Sequence, residues 1–446
     1  MEGPTPADLN PTDGIVPAAP SVPLGSASPV IRVMRMLLIP LIALATARLL
    51  PTELGLLSTH SAVQSTIGDV VYFAHAAHGL LQGHTPYQPD FLTRPDQSLP
   101  YLYPPLTLLI TLPPVVAGSN YVVAFSVEIL VGSLVGCAIL GHFAKRLGAA
   151  ASIGVATAVL LVAVGPVWLT RVDSIQGLLV AGSALALIGG RRSLAVALVT
   201  LACLIKETAV LAAVPVGLWC VLPAGDPPVP WMRRIREALL GLVPALAIFF
   251  AFLVWSRGGE VISSLASVHR GMEIESIPAS VAIALSHFIP VHSHFGRLAS
   301  WELGASDASA LAAIAILLGS LLIAVGSTLL ALAHRRPATA IAFAIAVGLC
   351  ATPVLSPQYL LDLLPVLVVA ACVEFPGPAG ARLILLGLLI AILTQADFPY
   401  LFEWVVTLQP AGLAVLLLRN GLLVVIAAIM ARQVPWSRLS AAGREP

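Results

Sequence analysis

Apolar residues run almost without interruption along this 446-residue chain, and polar residues collect in the gaps between the runs. The apolar stretches fall near 33–50, 121–143, 151–169, 175–190, 193–205, 208–223, 237–255, 308–333, 338–354, 357–373, 380–396 and 409–431. Some fall short of the roughly 20 residues that cross a bilayer as a helix, and others exceed it. They are continuously apolar, whereas the strands of a membrane barrel alternate residue by residue. The pattern predicts an all-α polytopic membrane protein with about twelve transmembrane helices. The run 105–118 reads as a re-entrant or surface-lying segment. Counting it as a crossing would put Lys145 and Arg146 on the wrong side.

Composition agrees with that class. The chain is 58% hydrophobic and 10% charged, with a mean hydropathy of +0.95, against roughly 25% charged residues in a soluble domain. Residues 1–30 are rich in Pro, Ala, Gly and Ser and read as a disordered cytoplasmic tail. Residues 31–432 form the membrane domain, with outer loops at 51–120 and 256–307, and 433–446 form a second cytoplasmic tail. The first basic residue is Arg32, so the basic start of a signal peptide is missing and the first helix is expected to be kept. Alternate loops hold Arg32 and Arg35, Lys145 and Arg146, Arg191 and Arg192, Arg233, Arg234 and Arg236, Arg335 and Arg336, Arg382, and Arg432, Arg438 and Arg444. Basic loops stay inside, which puts both termini in the cytoplasm. The net charge of +1 thus conceals an inside–outside asymmetry, and nothing in it suggests nucleic acid. The five cysteines lie in proposed spans without ligand spacing and read as small core residues.

Ionisable residues in or beside a span are costly and mark function by default. Away from the basic loops, most of those of this chain fall on one face, the proposed outer one. Asp69 opens a polar, aromatic, proline-punctuated stretch that runs to Pro105. It is either a reacting carboxylate or an N-cap for a helix starting near Val70. Arg171 and Asp173 share a short loop, as functional groups or as a local ion pair. Lys206, next to Glu207, sits where two apolar runs meet, as a functional cation or a snorkelling anchor. Tyr72, Tyr87, Tyr101 and Tyr103 contact substrate or form an interfacial belt. Arg270, Glu273 and Glu275 lie in the long outer segment, Gln358 and Tyr359 follow Ser356-Pro357, and Asp397 and Glu403 occupy the last outer loop. His75 and His78 share a helix face, and His287, His292 and His294 cluster later, without a metal-ligand signature. Arg419 and Asn420 interrupt the last span, either to hold a phosphate or to mark a bent helix.

One chemistry that suits such a face is transfer of a sugar from a lipid-phosphate carrier to a hydroxyl. Phosphate is already a good leaving group, so the paired acids of a glycosidase are not needed. One carboxylate must take the acceptor proton, and fixed cations must stabilise the departing phosphate.

Several local patterns carry a resemblance. They are Asp69 with Tyr72 and an Ala-rich helix, Gly83-His84-Thr85-Pro86-Tyr87, and Tyr103-Pro104-Pro105. Further on come Arg171-Val172-Asp173, Ile205-Lys206 followed by Pro215, His269 to Ser276, and Ser356 to Leu361 with Pro365. In these the chain resembles the polytopic GT-C glycosyltransferases, most closely the actinobacterial members of glycosyltransferase family 87. The resemblance spans roughly 31–432, and its most specific part is the first loop. It implies a GT-C type bundle with outer-face loop helices, and inverting transfer on the outer leaflet from a polyprenyl-phosphate sugar to a cell-envelope glycolipid or polysaccharide. Asp69 would be the catalytic base. Arg270, Lys206 and Arg171 would bind the donor phosphate. Tyr72, His75, Tyr87, Tyr103, Asp173, Glu275, Gln358 and Tyr359 would line the sugar or acceptor site. Mannose is the expected sugar and arabinofuranose the alternative, with no cofactor and no metal. Glu207 and Asp362 depart from the family pattern, where Pro and an apolar or aromatic residue are expected. A transporter is the competing class, but the chain shows no related halves. A scaffold or degenerate enzyme would tolerate loss of Asp69, which is retained here.

Overall fold

The chain folds into helices wherever an apolar run is uninterrupted, and it breaks where Gly or Pro enters. The computed structural model describes residues 61–436, apart from 89–90, 95–96, 100, 149–151, 223–228, 260, 262–270, 287, 289, 297–299, 306–307, 334–335 and 376. The predicted span 33–50, the first tail, residues 437–446 of the second tail and Arg270 therefore lie outside the described residues. Every other predicted span falls on a helix. In order these are α1 (Ser61–Leu81), α2 (Pro105–Ile110), α3 (Tyr121–Arg146), α4 (Ser152–Ala163), α5 (Asp173–Ile188), α6 (Arg192–Cys203), α7 (Val210–Val221) and α8 (Trp231–Ser256). Then follow α9 (Ile277–Ala284), α10 (Ala308–Leu332), α11 (Pro337–Ala351), α12 (Leu360–Val373), α13 (Pro378–Gln395), α14 (Phe402–Val406) and α15 (Pro410–Ala431). The described strands form two small antiparallel hairpins, β1 (Leu92–Arg94) with β2 (Gln97–Leu99), and β3 (Val291–Phe295) with β4 (Trp301–Ala305).

Among the described residues, five helical stretches are long and apolar enough to cross a membrane: Pro113–Arg146, Trp231–Ser256, Ala310–Leu332, Pro378–Val406 and Pro410–Ala431. Six apolar helices are shorter, at 10–17 residues. Their burial explains the difference. Helices α4, α5, α11 and α12 are buried on nearly every side and form the centre of the bundle. Around them, α3, α8 and α10 turn apolar side chains outward. Val123, Val127, Val131, Val135 and Ile139 make one exposed row along α3. A helix that is apolar both toward its neighbours and away from them needs a hydrocarbon solvent. The architecture is that of an all-α membrane protein.

Small residues let the central helices touch. A Cβ on Gly177 of α5 would stand 2.0 Å from the carbonyl oxygen of Leu361 in α12. Such close approach is how membrane helices gain packing without a hydrophobic driving force. Gly177→Ala should force α5 and α12 apart and cost roughly 1–3 kcal/mol, the usual range for overpacking. The drop would be seen as a lower unfolding temperature in lipid nanodiscs. An unchanged midpoint would mean that the two helices do not pack this closely.

Sequence and structure differ at several points. The span 151–169 is broken, because Gly165 takes φ +79° and Pro166 starts a separate turn, Pro166–Leu169. Residues 105–118, by contrast, agree with the sequence in not crossing, since they form only α2 and a 3-10 stretch from Pro113. The stretch from Asp69 to Pro105 is not a single loop, since α1 begins at Ser61 and continues to Leu81. Asp69 is therefore inside a helix, and the N-cap alternative falls.

The helices alternate in direction and give the bundle two chemically different ends. At one end, Glu374 of the α12 terminus accepts from the Ala338 and Thr339 amides at the start of α11. There too, Arg192 lies 3.6 Å from Glu237, Arg234 donates to Val221, and Arg336 donates to Gln433. The opposite end holds the start of α5, the end of α6 and the start of α12. Asp69, Arg171, Asp173, Lys206 and Tyr359 meet there.

Candidate active site

The site begins with a helix stop. Gly83 takes φ +81°, His84 N–H donates to Gly79 and Gly83 N–H to Leu80. This is the Schellman arrangement that reverses the chain after a helix. The reversal brings Tyr87 and the segment Tyr101–Tyr103 back onto α1. The Leu102 amide donates to the Tyr72 hydroxyl at 2.9 Å, and the Tyr87 hydroxyl donates to the Tyr103 carbonyl at 3.0 Å. Tyr72 stacks on Tyr101, and Phe73 meets Tyr103 edge-on. Tyr87 and Tyr101 are buried, so these rings form an internal cluster and not an interfacial belt. Beyond them, Thr107 donates to the Ile205 carbonyl and the Leu106 amide to that of Leu204. The first segment is thereby fastened to the turn that carries Lys206.

Asp69, Tyr72, Phe73 and Ala76 follow the i, i+3, i+4, i+7 spacing that puts them on one face of α1. Asp69 Oδ2 accepts from the Tyr103 hydroxyl at 3.3 Å and lies 3.0 Å from Arg171 Nε. Arg171 is buried and donates from Nη1 to the Thr170 carbonyl. Next to this pair, Lys206 Nζ lies 2.7 Å from Asp173 Oδ1. Two rings flank the ammonium, Tyr359 at 4.1 Å and Tyr103 at 5.9 Å. Burial alone would make Lys206 lose its proton more easily, but Asp173 outweighs that and raises its pKa. The Gln176 amide donates to the Lys206 carbonyl and the Thr208 hydroxyl, and Thr208 donates to Asp362 Oδ2 at 2.7 Å.

Tyr103 touches both ion pairs, so this is one constellation. It joins Asp69 and Tyr103 from the first segment, Arg171 and Asp173 from the start of α5, Lys206 from the α6–α7 break, and Tyr359 from the start of α12. Asp69 is the more accessible of the two paired carboxylates, its side chain 37% exposed while that of Asp173 is at 0%. The arrangement combines an accessible base with two fixed cations. Arg171 and Asp173 do not pair with each other, and Lys206 is turned inward rather than snorkelling.

Other predicted residues lie elsewhere. His75 is exposed against the Phe91 ring. Tyr72 and Tyr87 hold the Tyr101–Tyr103 segment in place. Gln358 is half-buried beside Tyr359. Glu273 accepts from Ser356 at 3.0 Å. Glu275 faces a second cluster, where Arg419 Nη1 donates to Glu275 Oε1 at 3.2 Å and to Asp397. Asn420 there donates to Ser280 at 2.7 Å and to the Glu275 carbonyl. Burial, then the nearby Asp397, pushes the Glu275 carboxyl well above the ordinary carboxylate range. Arg419 is held by these partners and, with Asn420, lines a small cavity beside Ser356 and Pro357. Among the described residues no group of three His, Cys, Asp or Glu is arranged to hold a metal ion.

Sequence reasoning left Gln176 and Thr208 unremarked. The signal for them was spacing, since Gln176 follows Asp173 by one helical turn and Thr208 follows Lys206 by two residues. A comparison with protein-family models and with curated protein sequences found no match to the chain.

Proposed function

We propose that the protein is an inverting glycosyltransferase that moves a hexose, mannose in the first instance, from a polyprenyl-phosphate carrier to a glycolipid or polysaccharide acceptor. The observation that carries this reading is the pairing of one accessible carboxylate, Asp69, with two buried cations, Arg171 and Lys206, at one end of an apolar bundle. In the reaction the acceptor oxygen attacks the anomeric carbon of the sugar while Asp69 takes the hydroxyl proton. The bond from that carbon to the phosphate oxygen breaks, and the electron pair leaves with the phosphate. Arg171 and Lys206 stabilise the charge gathering on it. The substrate stays at the membrane surface because its lipid chain remains in hydrocarbon. With basic loops inside, this end of the bundle faces outward and both termini lie in the cytoplasm.

Purified protein in lipid nanodiscs should release polyprenyl phosphate from synthetic polyprenyl-phosphate-mannose and yield an α-mannosylated acceptor. Polyprenyl-phosphate-arabinofuranose run in parallel identifies the donor. Folded protein inert toward both donors, with acceptor glycolipids present, would sink the reading.

A further inference from the structure

Beneath the Asp69 end lies a group of oxygens that transfer chemistry does not use. Asp173 Oδ2, Gln176 Oε1 and Asp362 Oδ1 are buried, and none accepts a hydrogen bond from the described residues. Their side chains are connected. Asp173 and Gln176 stand one turn apart on α5, and the Gln176 amide and Asp362 carboxylate share the Thr208 hydroxyl at 2.9 and 2.7 Å. All three residues are at most 2% exposed.

Charge makes the same point independently. Two carboxylates, Asp173 and Asp362, face one ammonium, Lys206. The other groups facing Asp362 are Glu207, exposed on the same turn, and the Cys203 thiol. Arg171 is engaged with Asp69. One negative charge is left over in the bundle interior, where an unbalanced charge is heavily penalised. A water molecule would donate to two of the three oxygens but leave that charge. A divalent ion would overcompensate and be repelled by Lys206. The position suits a small cation, because the chain unwinds at Leu204–Lys206 between two apolar helices, a device that membrane proteins use to bind sodium ions or protons.

We propose that Asp173, Gln176 and Asp362 form a binding site for one monovalent cation, either a proton or a sodium ion. Binding neutralises the surplus charge and leaves Lys206 with a single carboxylate partner. On the proposed function, that makes the ammonium a better partner for the carrier phosphate. The site itself does not depend on that reading.

The test uses full-length protein in nanodiscs and measures no sugar transfer. Unfolding temperature is followed in sodium, potassium and choline chloride at equal ionic strength and at mildly acidic and mildly basic pH. Infrared spectra are recorded for the wild type and Asp362→Asn, whose amide removes the surplus charge. A sodium site predicts a sodium-specific rise in the wild type that Asp362→Asn lacks. A proton site predicts a carboxylic-acid component that the variant lacks in the difference spectrum, beside the Glu275 band that both proteins keep, with no sodium effect. Gln176→Met supplies a second variant in case the first does not fold, and it should weaken either response by about tenfold or more. Variants that match the wild type in sodium response, pH response and carboxyl band would overturn the proposal.

Discussion

Asp69→Asn should lower the rate of sugar transfer at saturating donor by roughly 10²- to 10⁴-fold, the range that a positioned general base contributes. The fall should come in kcat, with the KM for the donor changed little. The substitution keeps the shape of the side chain and an oxygen that accepts from the Tyr103 hydroxyl. It removes the negative charge and the basic oxygen that takes the acceptor proton. Arg171 is buried and loses its ionised partner, so stability should fall. The loss should be smaller than for a fully buried pair, because solvent reaches the Asp69 side. The rate is therefore read on protein shown to be folded. Burial also excludes Asp173 and Asp362 as substitutes. Asp173 is buried and engaged by Lys206, and Asp362 is buried and engaged by Thr208. Product formation by the variant at near wild-type kcat would rule out Asp69 as the base.

The helices were legible because hydrocarbon imposes one requirement, an uninterrupted apolar run, which is written locally. The boundaries of α3, α13 and α15 lie within a few residues of where that run begins and ends. The importance of Asp69, Lys206 and Tyr103 was legible for the converse reason, since polar groups stand out in such a chain. Their pairings were not. Arg171 and Asp173 are neighbours in sequence and invite a local pair, but Val172 between them is buried in the aromatic cluster. One side chain is therefore sent to α1 and the other to the α6–α7 break. Asp69 sits mid-helix because α1 starts eight residues before it, in a polar stretch that the apolar pattern left unassigned. Glu275 illustrates the limit. It is 144 residues from Arg419, and nothing near either residue names the other. Pairing at that distance comes from helix packing, which apolar periodicity leaves undetermined.

That distant pairing leads to the second large effect. Arg419→Met should cost about 3–5 kcal/mol of stability, the usual loss when one partner of a buried ion network is removed. Arg419 is 1% exposed, and its guanidinium bridges two buried carboxylates, Glu275 and Asp397, that also meet each other. Without it the two acids lose the cation that offsets their repulsion, and the hydrogen bonds from Arg419 to Glu275 go with it. The network already bears on pH dependence. Glu275 has its pKa raised by burial and by Asp397, so the folded state holds its proton where the unfolded chain releases it. The unfolded state then binds fewer protons, and stability falls as pH rises from the ordinary carboxylate value to the raised folded one. In Arg419→Met the like-charge contact is worse, so this acid-favoured slope should steepen and extend to higher pH. Unfolding temperature measured against pH for both proteins checks this. The triple variant Arg419→Met, Glu275→Gln, Asp397→Asn should recover most of the loss, because neutral partners leave no charge unbalanced. A direct phosphate ligand would behave differently. If Arg419→Met keeps its unfolding temperature and loses only donor affinity, Arg419 belongs to the substrate site and not to the scaffold that holds α15 against the segment carrying Glu275.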